Sequence, residues 1–146
     1  MKIRKMLIDD YDDVYALWMS CTGMGLNNLD DSQDGIDKFI TRNPDTCFVA
    51  ESEGKIIGVI MSGNDGRRGY IYHISVSPKY QRQGIGHQMV KKAMQALEVC
   101  GINKVALVVF ERNENGNTFW EQQGFTARKD LVYRNKAITE MVRIDT

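Results

Sequence analysis

Apolar residues along the 146-residue chain recur at two different periods, and the alternation between those periods sets out the elements. Residues 2–7, "KIRKML", alternate as an edge strand does, and Asp9 and Asp10 then offer an N-cap. Val14, Leu17, Trp18 and Cys21 follow at i, i+3, i+4 and i+7, one face of a helix ending near Gly23. After a loop rich in glycine and asparagine, Ser32 or Asp34 can cap a second helix with Ile36, Phe39 and Ile40 inward, stopped at Asn43-Pro44. "CFVAES" and "KIIGVIMSG" read as a hairpin turned at Glu53-Gly54, and "YIYHISVSP" as a third strand closing an antiparallel meander. The strongest helix spans residues 84–100, with Ile85, Met89, Val90, Ala93, Met94 and Leu97 on its inner face and Gly101 as its stop. "KVALVVF" is a continuous apolar run and predicts a strand buried on both faces. "NGNTFWEQQ" predicts a short helix closed by Gly124, and "FTARKDLVYRNKAI" a final pair of strands.

The predicted order is β-α-α-β-β-β-α-β-α-β. The strand-helix-strand over residues 70–110 implies a crossover between parallel strands, whereas the strands before it meander, so the central sheet is mixed and mostly antiparallel. No repeat, linker or low-complexity tract interrupts the pattern. The expectation is a single α/β (α+β) domain over residues 1–146 with helices on both faces of the sheet.

Composition narrows the function classes. Lys plus Arg equals Asp plus Glu, 19 of each, which argues against a nucleic-acid binder with its basic excess. No stretch approaches the roughly 18 apolar residues of a membrane span, and the charged start, "MKIRKMLIDDYDD", lacks the apolar core of a signal peptide. A cytoplasmic protein is expected. Cys21, Cys47 and Cys100 are odd in number and widely spaced, so they read as reduced thiols buried for structural reasons. With only His73 and His87 present, no metal site is expected.

The candidate chemistry lies in "QRQGIG", residues 81–86, between the third strand and the long helix. The first N–H groups of a helix lack internal partners and carry partial positive charge, so an anion placed there satisfies them. Glycines at 84 and 86 remove side chains that would hold a phosphate away, and Arg82 adds a cation. A diphosphate cradle is one reading; a tight strand-to-helix turn is the other. Neither a P-loop nor the dinucleotide fingerprint G-x-G-x-x-G fits, since methionine occupies position 89.

"VSPKYQRQGIGHQMVKKAM" resembles the acetyl-CoA signature of the GNAT superfamily of N-acetyltransferases, V-x-P-x-[YF]-[QR]-x-x-G-x-[GA]. "NENGNTFWEQQGF" is similar to its second motif, N-x-x-A-x-x-[LF]-[YW]-E-x-x-G-F, about 30 residues on, and the element order agrees over nearly the whole chain. The resemblance implies an N-acetyltransferase that moves an acetyl group from acetyl-CoA to a primary amine, on a small molecule or a protein, by direct attack in a ternary complex. It implies that backbone around Gln81, Arg82, Gln83, Gly84, Ile85, Gly86 and His87 holds the pyrophosphate. The pantetheine arm would lie along Ile74, Ser75 and Val76, where a bulge splays the sheet, and Asn113 and Trp120 would meet the cofactor from across the cleft. The Val76 N–H would hold the oxyanion. Neither nucleic acid nor membrane is an expected partner; a second copy of the chain is a candidate one.

The proton-transfer groups are open. Trp120 stands where many members of the superfamily carry tyrosine, and an indole N–H cannot serve as an acid. Tyr133, Tyr72 or water could protonate the thiolate. His73, Glu111 or ordered water could take the amine proton; strand alternation places His73 on the face opposite Tyr72 and Ile74. The loop "TGMGLNNLDDSQD" would border the acceptor, with Asp30, Asp31 and Asp34 favouring a cationic amine, or else it is a solvated loop carrying N-caps. Two rivals stand beside the transferase: a coenzyme A-binding regulatory module without catalysis, and a nucleotide-binding domain using the same cradle.

Overall fold

The computed structural model describes residues 1–144. One five-stranded sheet runs in the order β1 (Lys2–Lys5), β2 (Cys47–Ser52), β3 (Lys55–Asn64), β4 (Gly69–Val76), β5 (Val105–Ala106). The first four strands pair antiparallel, and β5 joins β4 in parallel. Helices α1 (Tyr11–Ser20) and α2 (Gln33–Arg42) precede β2; α3 (Ile85–Val99) links β4 to β5; α4 (Glu114–Gln122) follows. The mixed, mostly antiparallel sheet with its β-α-β crossover is the architecture expected from the sequence.

Each face of the sheet buries its own apolar layer. Val14, Leu17 and Trp18 of α1 and Ile36 of α2 pack with Val49, Val59 and Met61. On the opposite face Ile85, Met89, Val90 and Ala93 of α3 and Trp120 of α4 pack with Phe48, Ala50, Ile57, Ile60 and Ile71. Period-two alternation divides the side chains of β2 between these layers, and those of β3 likewise on either side of a bulge at Ile57. Local signals fix the joints. Ser32 accepts the Gly35 N–H at 3.0 Å to cap α2, and Glu53 (φ 52°) and Gly54 (φ 75°) supply the two positive-φ residues of a tight hairpin turn.

Three expectations need correction. First, the apolar run 104–110 is not a long strand buried on both faces. Only Val105 and Ala106 pair with β4, and burial then alternates, with Val108 56% exposed. The run leaves the sheet after Ala106 and keeps one face to solvent. Second, residues 125–138 form no ladder: Leu131, Val132, Tyr133 and Ile138 are exposed, and backbone pairing resumes at 142–144, where Val142 and Ile144 bond to Asn28 and Leu26 and Arg143 bridges Asn27. A strand-like pattern needs a free edge of matching length, and the neighbouring β5 is two residues long. Third, alternation fails in the middle of β4. The pairs Met61↔His73 and Ser62↔Ile71 leave Tyr72 as an extra residue, a β-bulge, and it puts Tyr72 against Phe39 of α2 and His73 against Trp18 of α1. Tyr72 and His73 therefore share the α1/α2 face.

Candidate active site

The site begins where β4 and β5 part. The Ser77 N–H bonds to Ile57 O at 2.7 Å, which sets the phase of the antiparallel pair: His73, Ser75 and Ser77 turn their backbone groups to β3, while Ile74 and Val76 turn theirs away. Nearer its start β4 is held from the other side, the Gly69 N–H donating to Lys104 O at 3.0 Å. Because β5 ends its pairing at Tyr70↔Ala106, no strand lies beside Ile74 and Val76 among the described residues. The Val76 carbonyl instead accepts from Gln81 Nε2 at 3.1 Å and, weakly, from the Cys21 thiol at 3.7 Å. A section of sheet edge thus faces an opening, with the amides of Ile74 and Val76 directed into it.

This phase sorts the strand residues named from the sequence. Ile74 and Val76 can lend backbone to a ligand lying along β4. Ser75 cannot, since its backbone faces β3, and its buried hydroxyl has no protein partner. Pattern reading alone could not decide this, because the phase depends on the bulge at Tyr72.

The same edge runs through the turn at Pro78–Tyr80 into the N-terminus of α3. Arg82 (φ 64°) and Gly84 (φ 80°) both adopt the left-handed conformation, coiling the backbone ahead of the helix. The first helical bond is Gln88 N–H to Gly84 O at 3.1 Å, so Ile85, Gly86 and His87 hold N–H groups that no helical carbonyl reaches. Gln81 to Gly84 are exposed, and so is His87. The turn therefore presents several amides and the Arg82 guanidinium to solvent beside the opening.

Gly86 has a reason the sequence did not reveal. A Cβ there would stand 3.1 Å from the Phe119 ring, so glycine is what lets α4 lie against the start of α3. The His87 Nδ1–Gln123 Oε1 hydrogen bond, 2.6 Å, ties the same two helices. At Gly84, by contrast, a Cβ would meet nothing within 4 Å, and the demand is purely one of backbone conformation.

The remaining candidates scatter. Asn113 caps α4, its Oδ1 accepting the Gly116 N–H at 2.9 Å, which leaves its amide nitrogen as the group available to a ligand. Trp120 is 8% exposed and packs edge-on to Phe119 and Phe125, a core residue more than a wall of the opening. Glu111 is exposed in the turn that follows the apolar run, and Tyr133 is exposed on the C-terminal segment. His73 lies inside the α1/α2 layer, its Nε2 2.8 Å from Asp31 Oδ1, with side chains 12% and 5% exposed.

That pair separates the acceptor-loop carboxylates. Asp31 is buried: it takes the Asn27 N–H at 2.8 Å as well as His73, and its carbonyl accepts from Tyr11 Oη at 2.7 Å. Asp34 sits in the first turn of α2. Asp30 and Asp34 both remain exposed, and Asp30 lies 3.2 Å from Asn27 Nδ2. Of the apolar residues in this loop, Leu26 is core and Met24 is partly buried against it. The cysteines also differ from one another: Cys47 is buried, Cys21 half-buried and Cys100 exposed, contrary to the uniform burial expected.

Residues 11–125 match the family model described as the acetyltransferase (GNAT) family. An acetyltransferase from Photorhabdus laumondii is 35% identical over 114 residues, 78% of each chain. Among solved structures, an N-acetyltransferase from Thermoplasma acidophilum in complex with coenzyme A superposes with a TM-score of 0.76 at 19% identity, over 87% of this chain and 90% of that one. The aminoglycoside acetyltransferase AAC(6')-Iy, bound to a bisubstrate analogue, superposes with a TM-score of 0.73 at 18% identity, over 93% and 97%. At these identities the structures speak for the fold. The chain belongs to the GNAT family of acetyltransferases.

Proposed function

We propose that the protein transfers the acetyl group of acetyl-CoA to a primary amine. The observation that carries this reading is the continuity of the open β4 edge at Ile74 and Val76 with the unpartnered amides at the start of α3. One ligand with a diphosphate at one end and an amide-bearing arm at the other would satisfy both. The diphosphate would occupy the turn from Gln81 to His87, where helix polarity and Arg82 favour negative charge. The arm would add to β4 as a strand adds, exchanging amide hydrogen bonds with Ile74 and Val76. That the Thermoplasma acidophilum protein of the same fold is in complex with coenzyme A supports the choice of ligand.

Chemistry would follow at the end of the arm. A neutral amine attacks the thioester carbonyl; the carbonyl oxygen gains negative charge, which the N–H of Val76, or of Ile74 with the same outward direction, would offset. Collapse breaks the C–S bond and releases coenzyme A as a thiolate, a tolerable leaving group at a thiol pKa of about 8.5. The amine proton must leave before or during attack. His73 has its Nε2 committed to Asp31, and Glu111 lies in an exposed turn, so we assign the proton to ordered water, with His73 as a positioning residue. Tyr133 remains the candidate donor to the departing thiolate.

Thiol release from acetyl-CoA, measured across a panel of primary amines, tests the reading. Turnover with at least one amine, with the product heavier by one acetyl group, is the expected result. Binding of acetyl-CoA without thiol release in any mixture would instead leave a coenzyme-binding module. The expected selectivity in thermal stabilisation is for acetyl-CoA and coenzyme A over ATP, by about 2.7 kcal/mol at 100 times Kd.

A further inference from the structure

The first half of β4 carries a second feature, on the face opposite the α3 cradle. Ordinary alternation ahead of the bulge puts Tyr70 and Tyr72 on one face, ring centroids 4.6 Å apart, and Phe39 of α2 packs edge-on to Tyr72 at 5.4 Å. Tyr72 is nevertheless 57% exposed, so the group is an aromatic platform on the surface. A carboxylate stands beside it for a geometric reason: the Asp31–His73 hydrogen bond fixes the loop against the residue next to Tyr72, and Asp30 precedes Asp31. Asp30, Tyr133 and Asp65 all act on the Tyr72 hydroxyl, which burial first and these neighbours next push above its usual pKa. The Arg67 and Arg68 N–H groups engage one oxygen of Asp65, 2.8 Å each, and Asn27 Nδ2 one oxygen of Asp30, 3.2 Å, so each carboxylate keeps an oxygen for a ligand; of the two, Asp30 acts more strongly on Tyr72.

We infer that the acceptor carries a second, non-reacting ammonium group, held on the faces of Tyr72 and Tyr70 with Asp30 beside it. The inference rests on the acetyltransfer reading for the position of the reacting amine and deepens it by naming the acceptor class. Aromatic faces attract cations through their quadrupoles, and a nearby carboxylate adds to the attraction. A neutral or anionic group would gain neither. Tyr72 is two residues from Ile74, so no more than about 7 Å of strand separates them. The two nitrogens should therefore be joined by a short flexible stem, about four carbons long as in a lysine side chain.

Steady-state kinetics with 1,4-diaminobutane and with butylamine, which differ only in the second nitrogen, test this. The diamine is expected to have a kcat/KM about tenfold higher or more, with the difference in KM. Tyr72→Leu should erase that ratio, whereas Tyr72→Phe, which keeps the ring face, should retain it. Equal use of the two amines by the wild type, or a ratio unchanged in Tyr72→Leu, overturns the inference. If no amine is acetylated at all, the acetyltransfer reading fails separately. Tetramethylammonium, which cannot be acetylated, then decides the platform: it should shift the Tyr70 and Tyr72 ring resonances in wild type and not the Tyr70 resonance in Tyr72→Leu, and absence of any shift in wild type sinks the site.

Discussion

Asp31 and His73 lie 42 residues apart and meet at 2.8 Å, Oδ1 to Nε2, joining the loop after α1 to the middle of the strand that borders the opening. Neither side chain is more than 12% exposed, and the Trp18 ring covers the imidazole edge-on at 5.2 Å. This buried polar contact, with the Tyr11 hydroxyl on the Asp31 carbonyl, helps hold the loop beside Tyr72.

Removing either partner should be costly, because it strands the other away from water. Asp31→Ala also orphans the Asn27 N–H. A loss of about 2–4 kcal/mol is expected in urea unfolding for Asp31→Ala. The His73→Ala/Asp31→Ala cycle should show coupling of about 1–3 kcal/mol. His73→Gln, which keeps a donor for Asp31, should retain kcat within about tenfold with an unchanged pH profile. A fall of 100-fold or more with a lost acidic limb would make His73 the base.

The two glycines of the cradle should respond differently. Gly84→Ala meets no neighbour but must hold a left-handed φ of 80°, at a cost of about 1–2 kcal/mol, and it places a methyl beside the exposed amides. Its main effect should be a rise in Kd for acetyl-CoA, read by calorimetry, in a protein that remains folded. Gly86→Ala puts a carbon 3.1 Å from the Phe119 ring, so its main effect should be about 1–3 kcal/mol of stability. Phe119→Leu in the same chain should recover part of that loss, whereas it should do nothing for Gly84→Ala.

Much of this was legible in the chain because the signals are local. The apolar face of α3, the serine cap of α2, the Glu53-Gly54 turn and the glycine turn before α3 each depend on residues a few positions apart. What escaped prediction depends on distant partners. A bulge was expected along Ile74 to Val76, but the register between β3 and β4 puts it at Tyr72, and that position decides which side chains share a face. Asp31 reads as one of three loop acids until the fold brings His73 to it. Gly86 reads as a phosphate residue, yet its nearest neighbour belongs to α4. The strand-like pattern of residues 125–138 was a sound reading of propensity, but no strand edge among the described residues pairs with it.

The first strand offers a pH test. Arg4 donates to both oxygens of Asp10 at 2.8 Å each and to Glu51 at 2.6 Å, and Asp10 also accepts the Leu7 N–H at 2.8 Å. The hydrogen bonds from Arg4 hold the Asp10 carboxyl below its ordinary value, with burial opposing them and Leu7 helping. A carboxyl whose pKa is lower folded than unfolded stabilises above the unfolded value, about 4. That contribution fades as the pH falls from there through the folded value. Asp10→Asn should cost about 2–3 kcal/mol at pH 7. The gap to wild type, followed by urea unfolding from pH 7 to pH 2, should close below pH 4; a constant gap would mean the loss comes from packing.

The three thiols should be distinguishable by alkylation, since the attacking species is the thiolate. Burial pushes Cys47 up to about 12, and its Sγ lies 3.3 Å from Ser62 O. Cys21 is raised as well, by burial first, and sits half-covered against the Val76 carbonyl. Cys100 ends α3 in the open. Iodoacetamide at pH 8, followed by peptide mass spectrometry, should label Cys100 first, Cys21 more slowly, and Cys47 only after unfolding. Acetyl-CoA laid along β4 would cover the Val76 carbonyl and with it the approach to Cys21, so saturating ligand should slow labelling there and leave Cys100 unaffected. Equal protection of both thiols would point to general tightening of the fold, and protection of neither would place the coenzyme away from β4.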